Sequence, residues 1–444
     1  VADALAPVPG GSAGDKPELD AGQLFSYGLF GLPLSLVALP IYVFVPKFYS
    51  DSFGLSLEII GIILLAVRLL DAVSDPLFGW WVDHGRRSEG ARWLRGYRRF
   101  VVFSLPLLAV GYVALFQPPM GRGAASIWAS VWLAAALIVV YAGFSLANIA
   151  YYSWGADLSD VANERTRITS VREGCGLLGV LVAAAVPQVL GMDALSGLFV
   201  FTLLATGLLL LFRAPHPPLG RKLVFAEGIG LFSTFRVPLA NRRFVSLLVI
   251  FLANGIASAI PATLVLFYIR DVLELENRDA LLLGVYFLAA ACSMPLWVLA
   301  AGRFGLARAW LFGMIFSVVV FVWVYFLVAG DLIPFAAICV VSGMAIGGDL
   351  ALPPAILAGV IAEAGHRGVR EGAYFGLWSL ATKLNLALAA GISLPLLGAL
   401  GYDPSHLTAK GTNALSFGYA LVPCALKLGA ALLLWRSPFI RQVA

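Results

Sequence analysis

Arg68, Asp71, Ser74 and Asp75 fall inside one apolar stretch running from about Leu55 to Trp81, in the segment VRLLDAVSDP. On a helix Asp71 and Asp75, four residues apart, stand one above the other on a single face, and Arg68, three before Asp71, shares it. A charged side chain near the centre of a membrane helix costs roughly 2.5–3.5 kcal/mol on insertion scales, so three uncompensated charges cost about 8–10 kcal/mol. Two carboxylates so close in a low-dielectric setting cannot both ionise cheaply without a cation, and the Ser74 hydroxyl adds an oxygen of the kind that coordinates one. The chemistry these types and spacings suit is that of a proton site or a monovalent-cation site. A structural salt bridge between Arg68 and Asp71, with Asp75 tied to the turn at Pro76, is the competing reading. It leaves the second carboxylate without a reason.

Further charges lie in other apolar runs. Lys383 sits in the middle of LWSLATKLNLALAAG, too deep to reach the interface easily, and needs an anionic partner; the acidic pair is the obvious candidate. Asp349, in GMAIGGDLALPP, combines a carboxylate with flanking Gly and Pro residues, which suits either substrate passage and gating or helix-packing geometry. Lys427, in the last run, is read as packing or pairing locally. Tyr151-Tyr152-Ser153-Trp154 suits stacking on a sugar or lipid chain, or an interfacial aromatic belt. No catalytic residues are assigned, because HExxH, GxSxG and a Walker-type GxxxxGK[ST] are absent from the sequence. The histidines at 84, 216, 366 and 406 all fall outside the centres of the apolar runs, which argues against a histidine proton relay.

These residues need elements that hold them at membrane depth, and the composition supplies them. Of 444 residues 60% are hydrophobic and only 12% charged, far from the range of soluble domains. The apolar runs are about 20 residues long, which fits helices crossing a core roughly 30 Å thick and not the ten-residue alternation of an outer-membrane barrel. About twelve such runs occur, six in residues 24–212 and six in 244–436, joined by a central loop at 213–243 and preceded by a tail at 1–23 expected to be disordered and cytoplasmic. The expected fold is therefore all-α, a polytopic helical bundle. The net charge of +5 comes from basic residues in short loops, so it reads as topology and not as a nucleic-acid surface. Arg86, Arg87, Arg165, Arg167, Arg303 and Arg308 lie on one side, which the positive-inside rule makes cytoplasmic together with both termini. Cys175, Cys292, Cys339 and Cys424 fall in apolar runs without metal-like spacing and are read as packing residues. The second run ends GWWVDHGRR and the eighth LWVLAAGRFGLAR, which suggests an internal repeat of two half-bundles rocking about a central site.

Two segments carry a family resemblance: VRLLDAVSDPLFGWWVD with its basic loop, and REGAYFGLWSLATKLNLALAAG followed by LLGALGYDP. The chain resembles the glycoside–pentoside–hexuronide cation symporters, the branch of the major facilitator superfamily that includes the melibiose permeases and, more distantly, sodium-dependent lysolipid transporters. The resemblance implies a major facilitator fold of two six-helix bundles. It implies that Asp71, Ser74, Asp75 and Ser145 hold the coupling cation, with Lys383 and Arg68 in their charge network. It implies that Arg172 and Tyr152 face the substrate, and Ser35, Asn148, Asp349 and Trp378 are taken with them as candidate substrate-binding residues. Galactoside-transporting members use aspartates in the first and fourth spans; the matching positions here are near Ser35 and at Asn148.

The expected function is secondary active transport of a glycoside or sugar-like solute in symport with Na⁺ or H⁺, which act as coupling ions with no further cofactor. Asp83, Arg86, Arg87, Arg303 and Arg308 are expected to form a cytoplasmic gate. A monomer in the inner membrane is expected, with the bilayer and a small-molecule substrate as partners. One rival is a lipid or lysolipid transporter of the same fold, because the first span offers little polarity beyond Ser35. The other is a non-transporting membrane sensor or scaffold; an enzyme is disfavoured for want of a nucleophile or metal constellation.

Overall fold

In the computed structural model residues 19–85, 96–119, 126–215, 231–275, 278–402 and 407–441 are described. They are helical almost throughout. A short helix, Ala21–Gly28, opens the chain; Asp20 caps it and Gln23 closes the capping box. Leu19 N donates to Glu164 at 2.7 Å, and the helix at Ala21–Gly28 begins within the tail expected at residues 1–23. The membrane helices that follow are α1 (Gly31–Phe53), α2 (Leu57–Gly85), α3 (Arg98–Phe116), α4 (Ser126–Ala156), α5 (Ala162–Pro187) and α6 (Val189–Arg213). The second set is α7 (Arg242–Asp271), α8 (Asp279–Phe304), α9 (Leu306–Phe326), α10 (Leu332–Glu363), α11 (Glu371–Ala399) and α12 (Ala409–Arg436). A ten-residue helix, Leu231–Ala240, lies in the central connection.

Among the described residues nine of these helices are long and apolar enough to cross a membrane by length and composition. The other three, α1, α2 and α11, contain 23, 29 and 29 residues. At 1.5 Å per residue even 23 residues span about 35 Å, enough to cross the hydrocarbon core. Polar and charged groups lower the hydropathy of α2 and α11, and they are the groups that build the site below. Gly191, at φ 85° and ψ 174°, kinks the continuous stretch Ala162–Arg213 near the start of α6, a conformation open to glycine because it has no Cβ.

Large apolar side chains such as Val189, Phe201 and Phe212 are exposed on the outside, the surface expected of helices that meet lipid. Inside, several buried tyrosines donate to backbone carbonyls of neighbouring helices. Tyr27 Oη donates to the Tyr151 carbonyl (3.0 Å) and Tyr151 Oη to that of Tyr27 (2.7 Å), which fastens the short first helix to α4.

The halves meet mainly through α2 against α11, α5 against α8 and α10, and α4 against α11. Small residues permit this. Gly79 and Gly372 pack backbone to backbone so closely that a Cβ on either would collide with the other's carbonyl. Below that contact, at the end carrying the α2–α3 and α10–α11 connections, Gly372 N and Ala373 N donate to Asp83 (2.7 and 2.8 Å). These are free amides of the first turn of α11, so a buried carboxylate of one half caps a helix of the other. Arg367 pairs with Asp157 (3.2 Å) and with Asp160 at the same end, and Thr169 Oγ1 donates to the Ala351 carbonyl (2.9 Å). The halves are thereby clamped at the basic-loop end.

Candidate functional site

Above this clamp a cavity of about 370 Å³ opens between the halves, lined by residues of α1, α2, α4, α5, α7, α10 and α11. Its floor contains the intramembrane charges. Asp71 and Asp75 project from one face of α2, as their spacing requires, and Lys383 enters between them from α11. Lys383 Nζ lies 2.6 Å from Asp71 Oδ2 and 2.7 Å from Asp75 Oδ2. Ser145 of α4 completes the cluster: its Oγ donates to Asp71 Oδ1 (2.7 Å) and accepts from Lys383 Nζ (3.0 Å). All four residues are buried, Asp75 completely.

Electrostatically this is two carboxylates sharing one ammonium. In a low-dielectric setting a second cation or a proton can compete with the ammonium for the carboxylate oxygens. Arg68 lines the cavity beside Asp71 and Tyr141. Ser74 does not join the cluster. Its hydroxyl donates to the Asp71 backbone carbonyl (2.9 Å), because a residue next to Asp75 on a helix points about 100° away from it.

The substrate-facing set is brought together on the cavity walls. Ser35, Asn148, Tyr152 and Arg172 line the side formed by α1, α4 and α5, and Trp378 and Asp349 the other. Arg172 is buried with its guanidinium carbon 3.6 Å from the centre of the Tyr152 ring. Trp378 stacks on Phe251 with ring centres 3.8 Å apart. Asp349 reaches the cavity but is heavily engaged: Lys427 Nζ lies 2.6 Å away and Trp310 Nε1 donates to it at 2.8 Å. Lys427 thus has a local partner on α10, and Ser258 accepts from it as well (2.9 Å).

Several participants carry no clear signal in the sequence. Glu173 binds both Arg172 and Tyr152, and Phe251 and Phe375 supply aromatic walls. In the clamp, Asp83 occupies the position expected of a gate residue. Arg303 and Arg308 are exposed beside the sharp α8–α9 turn at Gly305 (φ 81°), and neither bonds across the halves among the described residues. Arg86 and Arg87 lie outside the described residues. Arg367, Asp157 and Asp160 make the cross-half ion pairs instead. Nearby, His366 Nδ1 meets Tyr374 Oη at 2.9 Å, and Asn241 Nδ2 donates to the same hydroxyl at 3.3 Å. Burial, reinforced by the Arg370 charge, holds the His366 imidazole below its usual range.

Comparison with known proteins agrees with this geometry. The family model described as MFS/sugar transport protein matches residues 25–440. The isoprimeverose transporter of Lactiplantibacillus pentosus is 22% identical over 426 residues, covering 90% of this chain and 85% of that one. The glucuronide carrier protein homolog of Escherichia coli (strain K12) is 24% identical, covering 89% and 88%. The sodium-dependent lysophosphatidylcholine symporter 1 of Xenopus tropicalis is 20% identical, covering 89% and 82%. Among solved structures, a bacterial homologue of the iron transporter ferroportin in its outward-facing state aligns with a TM-score of 0.69 at 17% identity, covering 94% of this chain and all of that one. The chain belongs to the MFS/sugar transport protein family of the major facilitator superfamily, and is an integral, multi-pass membrane transport protein with the all-helical fold of that superfamily.

Proposed function

We propose that this chain moves a glycoside or sugar-like solute across the membrane by alternating access, in symport with Na⁺ or H⁺ held by Asp71, Asp75 and Ser145. One observation carries the reading: Lys383, from one half, occupies the space between two buried carboxylates of the other. In the cation-free state the ammonium stands in for the coupling ion. When Na⁺ coordinates the carboxylates, or a proton neutralises one, the attraction holding Lys383 weakens and α11 is released from α2 at mid-depth. With substrate bound as well, the polar contacts of the clamp still join the halves, among them Asp83 on the α11 N-terminus and Arg367 on Asp157 and Asp160. Their rupture opens the cavity to the other side. A monomer suffices, since both halves of the site lie in one chain. The topology has both termini cytoplasmic and suits a bacterial inner membrane, as the basic loops indicate.

A lysolipid or other amphiphile is the second reading. It draws on the apolar wall made by Phe251, Leu350, Pro354, Phe375, Trp378 and Leu386, and on the lysophosphatidylcholine symporter among the relatives. The test is uptake into proteoliposomes of isoprimeverose, a methyl glucuronide and lysophosphatidylcholine, each under a Na⁺ gradient and a H⁺ gradient separately. Sugar uptake that follows one of the gradients supports the proposal. Gradient-driven uptake of the lipid with none of the sugars contradicts it.

A further inference from the structure

Ser35 and Asn148 leave α1 and α4 without an acidic acceptor on the cavity wall. One is present on the same wall all the same. Glu173 follows Arg172 on α5, lines the cavity, and its side chain keeps 17% of its surface exposed, against 3% for Arg172. Neighbours on a helix point about 100° apart, yet Arg172 Nε reaches Glu173 Oε1 at 2.9 Å, and a third group contacts both side chains. Tyr152 of α4 is that group. Its ring lies under the Arg172 guanidinium at 3.6 Å and its hydroxyl donates to Glu173 Oε1 at 3.2 Å.

The pattern of donors is lopsided. Arg172 Nε (2.9 Å) and Tyr152 Oη (3.2 Å) both donate to Glu173 Oε1, and Arg172 Nη2 pairs in charge with the same oxygen at 2.8 Å without hydrogen-bond geometry. No hydrogen bond from a described residue reaches Oε2. The carboxylate is thus fixed in orientation by one oxygen, partly balanced in charge by a buried arginine, and keeps its second oxygen for whatever enters the cavity. A carboxylate accepts only, so the complementary ligand group is a donor that needs no counter-charge, a hydroxyl. A phosphate or a uronate carboxylate would instead bring a second negative charge against Oε2 in a low-dielectric site.

We infer that Glu173 is the residue that selects the ligand: Oε2 accepts from a hydroxyl of a neutral polyhydroxylated solute, and supplies from α5 the acidic acceptor that α1 and α4 lack. This rests on the proposed function, glycoside transport, and narrows it to uncharged sugars. Tyr152 and Arg172 act as positioning residues for the carboxylate. The opposite wall, with Trp378 stacked on Phe251 and Phe375 set edge-on to Tyr152 at 5.9 Å, gives the ligand an apolar face to lie against.

The test compares wild type, Glu173→Gln and Tyr152→Phe in proteoliposomes, with isoprimeverose and a methyl glucuronide as probes. Wild type should favour isoprimeverose. Glu173→Gln keeps the shape but weakens the acceptor, so its KM for isoprimeverose should rise about tenfold or more. Its discrimination against the glucuronide should narrow, because the repelling charge is gone. Tyr152→Phe should move KM in the same direction by a smaller factor. Cation-induced thermal stabilisation of the detergent-solubilised variants should match wild type, which separates a lost substrate contact from a misfolded protein. An unchanged KM in Glu173→Gln, in a protein that transports isoprimeverose, overturns the role of Glu173 and leaves glycoside transport standing. A wild type that transports no neutral sugar overturns both.

Discussion

Lys383 Nζ stands 2.7 Å from Asp75 Oδ2, and the two residues belong to opposite halves of the molecule, on α11 and α2. Both are buried, Asp75 completely. A transporter that rocks its halves must break this contact in every cycle, so something has to replace each partner. In the proposed cycle the replacement for the carboxylates is the coupling ion, so that the pair acts as a lock that the cation opens.

Removing the ammonium should therefore make the protein depend on the cation. Lys383→Met removes the ammonium that both Asp71 and Asp75 contact, a loss on the order of 3–5 kcal/mol where a buried charge loses its partner. The detergent-solubilised variant should melt well below wild type in cation-free buffer and recover when Na⁺ is added or the pH is lowered, whichever is the coupling ion. A melting temperature independent of both would mean that the ammonium is not a cation surrogate.

Ser145 bridges the two halves of the cluster, one hydrogen bond to Asp71 and one from Lys383. Ser145→Ala removes an oxygen from the cation's surroundings and should weaken cation affinity by about tenfold, the loss of one hydrogen bond to a charged group. Titration of cation-dependent fluorescence or melting measures it. An affinity within twofold of wild type would exclude the hydroxyl from the site.

Gly79 and Gly372 allow α2 and α11 to touch. Gly79→Val should force the helices apart at the basic-loop end and shift the population towards the opposite-facing state. Spin labels at Ala162→Cys and Glu363→Cys, exposed positions in the two halves at that end, report the separation. Their distance distribution should lengthen by several ångströms, and an unchanged distribution would show that the contact does not limit closure.

His366 gives the closed end a pH dependence. Its imidazole titrates below the usual value because it is buried beside Arg370, so the unfolded chain binds a proton more readily than the folded one. The sign follows: the stabilisation is fully present above the unfolded value of about 6.5 and is lost as the pH falls from there through the depressed folded value. Melting temperature should drop over that interval in wild type and drop less in His366→Gln. Equal pH profiles would remove His366 from the balance.

Much of this site is legible in the sequence because charge inside an apolar run carries its own cost signal. Asp71, Asp75 and Lys383 stand out as charges within apolar runs that need opposite partners, and the helical layout follows from run lengths of about 20 residues. Ser74 shows the limit of proximity in sequence: one position off the Asp75 face, it turns to its own backbone. Glu173 is hidden for the opposite reason. It sits in ANERTRITSVREG, a polar helix start where a carboxylate looks solvated, and only the approach of Tyr152 from α4 turns it into the cavity. The clamp residues Asp157, Asp160 and Arg367 are loop charges, and their pairing depends on how the halves meet, which no local spacing encodes.

The most direct measurement is gradient-driven uptake of isoprimeverose by wild type and Asp75→Asn in the same proteoliposome preparation, with facilitated counterflow as the ungated control. The expected result is accumulation in wild type under a Na⁺ or H⁺ gradient, and in Asp75→Asn no accumulation while counterflow persists. Accumulation by Asp75→Asn at the wild-type level would contradict a coupling ion held between Asp71 and Asp75.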